Sequence, residues 1–141
     1  MMSIEENKTI AQHLGEELSK GNLSVIDELY ATNCVYHSPA FGDLNGPEGV
    51  RLLFESTFAA FPDLCFTVED IVAEGDTVAA RYVVTGTHRG ELMSVPPTGN
   101  QITWTAMDIS RFEDGKILET WHEANVLGML QQIGAIPTPG Q

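Results

Sequence analysis

Asp108, Glu123 and Asn125 stand among two tryptophans, Trp104 and Trp121, in the stretch from Ile102 to Asn125. These residue types can move protons. A carboxylate walled by aromatic rings loses hydration, so its pKa climbs toward neutrality and it can take a proton from carbon beside a carbonyl. An amide cannot act as that base, but it can hydrogen-bond a carbonyl or an enolate oxygen. Large aromatic walls with a few polar groups are how small-molecule pockets are built. The plainer reading is a half-exposed sheet with incidental charges.

Each further candidate also has a plain structural reading. Asp108 is the leading acid/base, or else it forms an ion pair with Arg81 of a neighbouring strand; Arg81 itself could instead bind a ligand carboxylate. Glu123 shares the face by parity, or sits at a solvated rim. His37 and His88 each end a strand beside a loop, where either could carry protons near neutral pH or be held at a strand end. His122 falls on the face opposite Trp121 and is left out of the site, and His13 reads as a surface residue of the first helix. Tyr36, Phe54, Phe58 and Trp104 are pocket-wall candidates, with ordinary core packing the alternative.

The element that must position the acids is a hairpin. Asp114-Gly115 lies between two runs rich in β-branched and aromatic residues, and a primed turn needs positive φ at both central positions. A two-residue loop pairs Glu113 with Lys116. Uninterrupted pairing then sets Asp108 against Trp121, Ala106 against Glu123 and Trp104 against Asn125. On that register Trp104, Asp108, Trp121, Glu123 and Asn125 share one face, with Ser110 and Glu119 nearer the turn. A one-residue slip would send a strand's residues to the other face. The opposite face carries Thr103, Thr105, Met107 and Ile109 with Leu118, Thr120 and Ala124, too apolar to be left to water, which predicts a homodimer through it.

Earlier in the chain, Ile10, Leu14 and Leu18 predict an amphipathic helix over about 4–20, ended by Gly21-Asn22. A second short helix follows Ser24, then a strand at Val35-Tyr36-His37 and a loop over 38–46. Pro47 opens a third helix that closes at Phe61-Pro62-Asp63. Strands are predicted over 65–73 and 77–88, with Gly86 marking a bulge or a close backbone approach. A connection over 89–101 leads to the hairpin, and a last helix spans about 126–133. Helices cluster early and strands late, which defines one α+β domain over 1–141, a curved sheet with helices on one face.

The composition excludes several classes. Net charge is −13, with 20 acidic against 7 basic residues, which disfavours nucleic acid and anionic membrane surfaces. No apolar run approaches the ~18 residues of a membrane span. The N-terminus lacks a signal-peptide pattern, so a cytoplasmic protein is expected, with Cys34 and Cys65 as buried free thiols. The four histidines are scattered and no phosphate loop, nucleophile elbow or redox cysteine pair is present, so neither metal nor cofactor is expected.

Nearly the whole chain resembles the SnoaL-like polyketide cyclases, in the cone-shaped superfamily of nuclear transport factor 2, steroid Δ5-isomerase and scytalone dehydratase. The resemblance rests on Leu29-Tyr30-Ala31 leading to Tyr36-His37, Gly46-Pro47-Glu48-Gly49, Phe61-Pro62-Asp63-Leu64 and Gly86-Thr87-His88-Arg89-Gly90. It continues through Asp108-Ile-Ser-Arg111, Asp114-Gly115-Lys116-Ile117, Glu119-Thr-Trp121 and Leu130-Gln-Gln-Ile-Gly134. It implies a cone-shaped mixed sheet with N-terminal helices over the concave face. It also implies a hydrophobic pocket for a small carbonyl-bearing molecule, a homodimer, and cofactor-free ring closure by an intramolecular aldol step. Isomerisation and dehydration are related outcomes of the same proton transfer. The family commonly has its acid/base Asp four residues after the last-strand tryptophan, and Asn125 stands there in this chain. A binding protein that kept the cone and lost the base therefore stays open, as does an epoxide hydrolase resembling the limonene enzyme, hinted at by Arg81 with Asp108.

Overall fold

The computed structural model describes residues 3–139. Helices α1 (Ile4–Ser19) and α2 (Ser24–Leu29) lead into strands β1 (Tyr30–Ser38) and β2 (Gly42–Asn45) and helix α3 (Gly46–Ala60). Strands β3 (Cys65–Glu74), β4 (Thr77–Thr87), β5 (Gln101–Glu113) and β6 (Lys116–Ala124) follow, then helix α4 (Val126–Gln132). Ser3 and Glu6 close a capping box at the start of α1, and Pro47 sits in the first turn of α3. The loop expected over 38–46 contains strand β2, which pairs with β1 from Val35↔Asn45 to Ser38↔Gly42.

The six strands form one mixed, curved sheet in the order β2-β1-β6-β5-β4-β3, antiparallel except for β1 beside β6. Helix α1 packs over β3, α3 over β1 and α4 over β5. One core cluster under α1 and α2 contains Leu18, Val25, Ile26, Val78, Phe112 and Ile117. A second, at the other end of the sheet, contains Phe61, Leu64, Val84, Ile102, Trp104 and Met129. Both cysteines are free; Cys34 is buried, but Cys65 lies exposed at the start of an edge strand. Gly86 makes a close approach rather than a bulge. The β4–β5 register runs through it unbroken, and a Cβ there would lie 2.8 Å from that of Phe61.

The hairpin turn forms as expected, with Asp114 and Gly115 at φ +50° and +78° and Glu113 opposite Lys116. Beyond it the register departs from the expected one. Phe112 pairs with Ile117 but Arg111 pairs with Glu119, leaving Leu118 as the extra residue of a β-bulge. From there Ser110 faces Thr120, Asp108 faces His122 and Ala106 faces Ala124. The reason lies in burial. Uninterrupted pairing would turn Glu119 and Glu123 into the apolar interior, and unpaired buried carboxylates are costly. The bulge puts Thr120 and His122 there instead, while Phe112 and Ile117 both stay buried.

Candidate active site

Two adjoining apolar pockets, an inner and an outer lobe, lie between the concave face of the sheet and the helices over it. The inner lobe, about 70 Å³, is bounded by Leu14 and Leu18 of α1 and ends against Val78, Phe112 and Ile117. The outer lobe, about 100 Å³, is walled by Trp104, Val84 and Met129 and reaches Phe41 and Met93. Tyr36, Phe54, Phe66 and Tyr82 border both.

The polar groups gather where the lobes meet. Asp108 lines the inner lobe, His122 the outer, and they sit opposite each other on β5 and β6. The Tyr82 hydroxyl lies 2.9 Å from Asp108 Oδ2 and 2.9 Å from His122 Nδ1, while Asp108 and His122 are themselves 3.6 Å apart. A hydroxyl has one proton. With Asp108 ionised, Tyr82 donates to the carboxylate and accepts from His122 Nδ1–H. That tautomer leaves the Nε2 lone pair bare, and no hydrogen bond among the described residues uses Nε2. Tyr36 packs against the His122 ring at 5.9 Å, and its hydroxyl likewise has no partner among the described residues. Burial, together with the charge of Asp108, pushes the pKa of Tyr30, Tyr36 and Tyr82 up, so these phenols stay protonated and can donate.

The structure brings together only part of the expected site. Asp108, Tyr36, Phe54 and Trp104 border the cavity, whereas Phe58 packs into the second core cluster. Trp121 and Glu123, expected on the pocket face, are moved by the bulge to the outer face, where Trp121 is 43% exposed. Arg81 is on that face too and pairs with Asp70 Oδ2 at 2.6 and 2.9 Å, so it neither holds Asp108 nor reaches the cavity.

The remaining candidates are held elsewhere. His37 also faces outward, stacked on Trp121, with Nδ1 2.7 Å from Asp43 and Nε2 2.7 Å from Glu119. His88 is fully buried beside Phe61 and takes part in a hydrogen bond with Thr98, away from both lobes. Asn125 is exposed and caps α4, its Oδ1 accepting from Gly128 N at 2.9 Å. An amide at that position serves the helix before it serves any ligand.

Two residues of the cluster escaped the sequence reading. His122 was excluded by the uninterrupted register. Tyr82 carried a legible signal, since Arg81 and Tyr82 are neighbours on one strand and point to opposite faces. An arginine turned to solvent places the tyrosine inside.

A curved sheet of this kind, with helices closing an apolar cavity on its concave side, defines a class of fold, and the sequence model of the SnoaL-like polyketide cyclases matches residues 8–133. The chain belongs to that family. It is 29% identical over 118 residues to the aklanonic acid methyl ester cyclase DauD of Streptomyces sp. (strain C5), covering 82% of this chain and 71% of the relative. Among solved structures it is similar to AclR, a candidate hydroxylase from Streptomyces galilaeus. That match has a TM-score of 0.88 and 34% identity over 99% of this chain and 87% of the other. It is also similar to IdmH, a candidate polyketide cyclase from Streptomyces antibioticus, with a TM-score of 0.79 and 36% identity over 91% and 98% of the two chains.

Proposed function

We propose that this protein is an enzyme that moves a proton on a mostly apolar, carbonyl-bearing small molecule without a cofactor, and that ring closure of a polyketide ester is the reaction. The observation that carries this reading is the Asp108–Tyr82–His122 chain of hydrogen bonds between two apolar lobes. His122 Nε2 takes the proton from carbon beside the carbonyl. The imidazolium that forms is stabilised through Tyr82 by the Asp108 carboxylate. The free Tyr36 hydroxyl donates to the enolate oxygen, as an oxyanion donor does. The enolate carbon then attacks a second carbonyl, with the folded chain held so that ring closure loses little entropy. His122 returns the proton to the new alkoxide.

Asn125 at the family's usual aspartate position supports a second reading, a ligand-binding protein of the same fold. The epoxide hydrolase arrangement has no support, since Arg81 is committed to Asp70. The test is turnover of aklanonic acid methyl ester, the ester named for the relative. Replacing His122 by Asn is expected to lower kcat by roughly 10²–10⁴-fold with little change in KM. Wild-type rates in that variant would remove His122 as the base, and binding without turnover by the wild type would favour the second reading.

The outer face supports a homodimer. Val72, Ala79, Ile109 and Trp121 form one row across β3, β4, β5 and β6, and all but Ala79 are exposed large apolar residues. Of the acids beside the row, Asp70 is paired with Arg81 and Glu119 with His37 and Arg111, while Glu74 and Glu123 have no partner among the described residues. The pairing of Asp70 and Glu119 lets a second copy cover it with less like-charge repulsion than the net charge suggests.

A further inference from the structure

Resting on the acid/base reading, we infer that the substrate is a larger apolar body with a short apolar arm beyond its reacting carbonyl, and that Gly15 sets the length of that arm. The two lobes are unequal in kind. The outer one reaches the exposed side chains of Phe41 and Met93, so a body can enter there. The inner one ends blind against Val78, Phe112 and Ile117, all buried. A carbonyl at the junction, within reach of Tyr36 and His122, leaves the inner lobe to whatever the carbonyl carries on its other side. A space of about 70 Å³ takes roughly five to seven water-sized groups at ~10–15 Å³ each, so the arm is about five to seven carbons long.

Gly15 lines this lobe from the interior of α1. Nothing in the backbone requires glycine there, for its φ is not positive, and a Cβ would meet only Val68 at an ordinary 3.5 Å. Glycine inside a helix is less favourable than alanine. A helix that keeps it here, against its own stability, leaves one methyl group's space open to the lobe.

The test uses 2-naphthyl alkyl ketones with acyl arms lengthened one carbon at a time, bound to the full chain and followed by calorimetry. Affinity is expected to rise about fourfold per methylene, then fall once the arm exceeds the lobe. Gly15→Ala is expected to move that peak one carbon shorter, to leave the methyl ketone unchanged, and to melt no lower than wild type. Affinity that climbs without a break, a peak unmoved by Gly15→Ala, or no binding at any length overturns the inference. Deuterium exchange at the ketones' α-carbon reads the acid/base reading separately. A chain-length peak without exchange refutes that reading and leaves the arm assignment standing.

Discussion

Tyr82 has a single proton, and the state of His122 depends on where it goes. Tyr82→Phe removes the bridge but keeps the ring that packs against Phe66 at 6.0 Å. It is expected to leave the fold intact and to lower kcat by about 10–100-fold, the loss of one hydrogen bond to a charged group. Tyr36→Phe, which removes the proposed oxyanion donor, is expected to cost roughly 10²–10³-fold in kcat. Both are read from steady-state kinetics beside a thermal melt. His37 has a different part. Its hydrogen bonds to Glu119 and then Asp43 raise its pKa above 6.5, and its bond lowers the pKa of Glu119 below 4.5. A raised histidine stabilises the fold fully below 6.5 and loses that effect as pH rises through its folded value. A lowered carboxylate stabilises it above 4.5 and loses that effect as pH falls. His37→Gln is therefore expected to lower the urea midpoint most at about pH 5.5, and less at about pH 3 or 9.

The hairpin of β5 and β6 decides which side chains meet the cavity, and here the sequence was legible only in part. Its turn, its strands and the inward Asp108 follow from Asp114-Gly115 and from alternation. The bulge at Leu118 does not, because no local pattern marks one extra residue between Ile117 and Glu119. It is set by the burial cost of Glu119 and Glu123 against that of Thr120 and His122, a comparison between whole faces. Strand β2 was missed for a similar reason. Gly42-Asp-Leu-Asn45 has turn composition, and it becomes a strand only because β1 offers it an edge. Helix α4 gives a check on Asn125. Asn125→Ala is expected to lower stability by about 1 kcal/mol through loss of the cap, while Asn125→Asp keeps it. Chemical denaturation separates the two. On this account, turnover by Asn125→Ala stays within a fewfold of wild type, since its side chain is not part of the cavity wall.

The molecule divides its single sheet between two tasks. The concave side, closed by α1 and α3, holds the cavity, and the convex side carries the apolar row from Val72 to Trp121. Light scattering on the eluting protein is expected to give twice the mass of the 15.4 kDa chain. Trp121→Glu with Ile109→Glu is expected to give a monomer, and a monomeric wild type would remove the dimer. The proposed proton transfer, in either state, rests on the same tautomer. The most direct measurement is ¹⁵N NMR of the His122 imidazole at neutral to mildly alkaline pH. The account predicts a protonated Nδ1 and a bare Nε2, with that preference lost in Tyr82→Phe. A proton on Nε2 in the wild type would contradict it, since Tyr82 would then donate to His122 and the nitrogen facing the outer lobe would have no lone pair to offer.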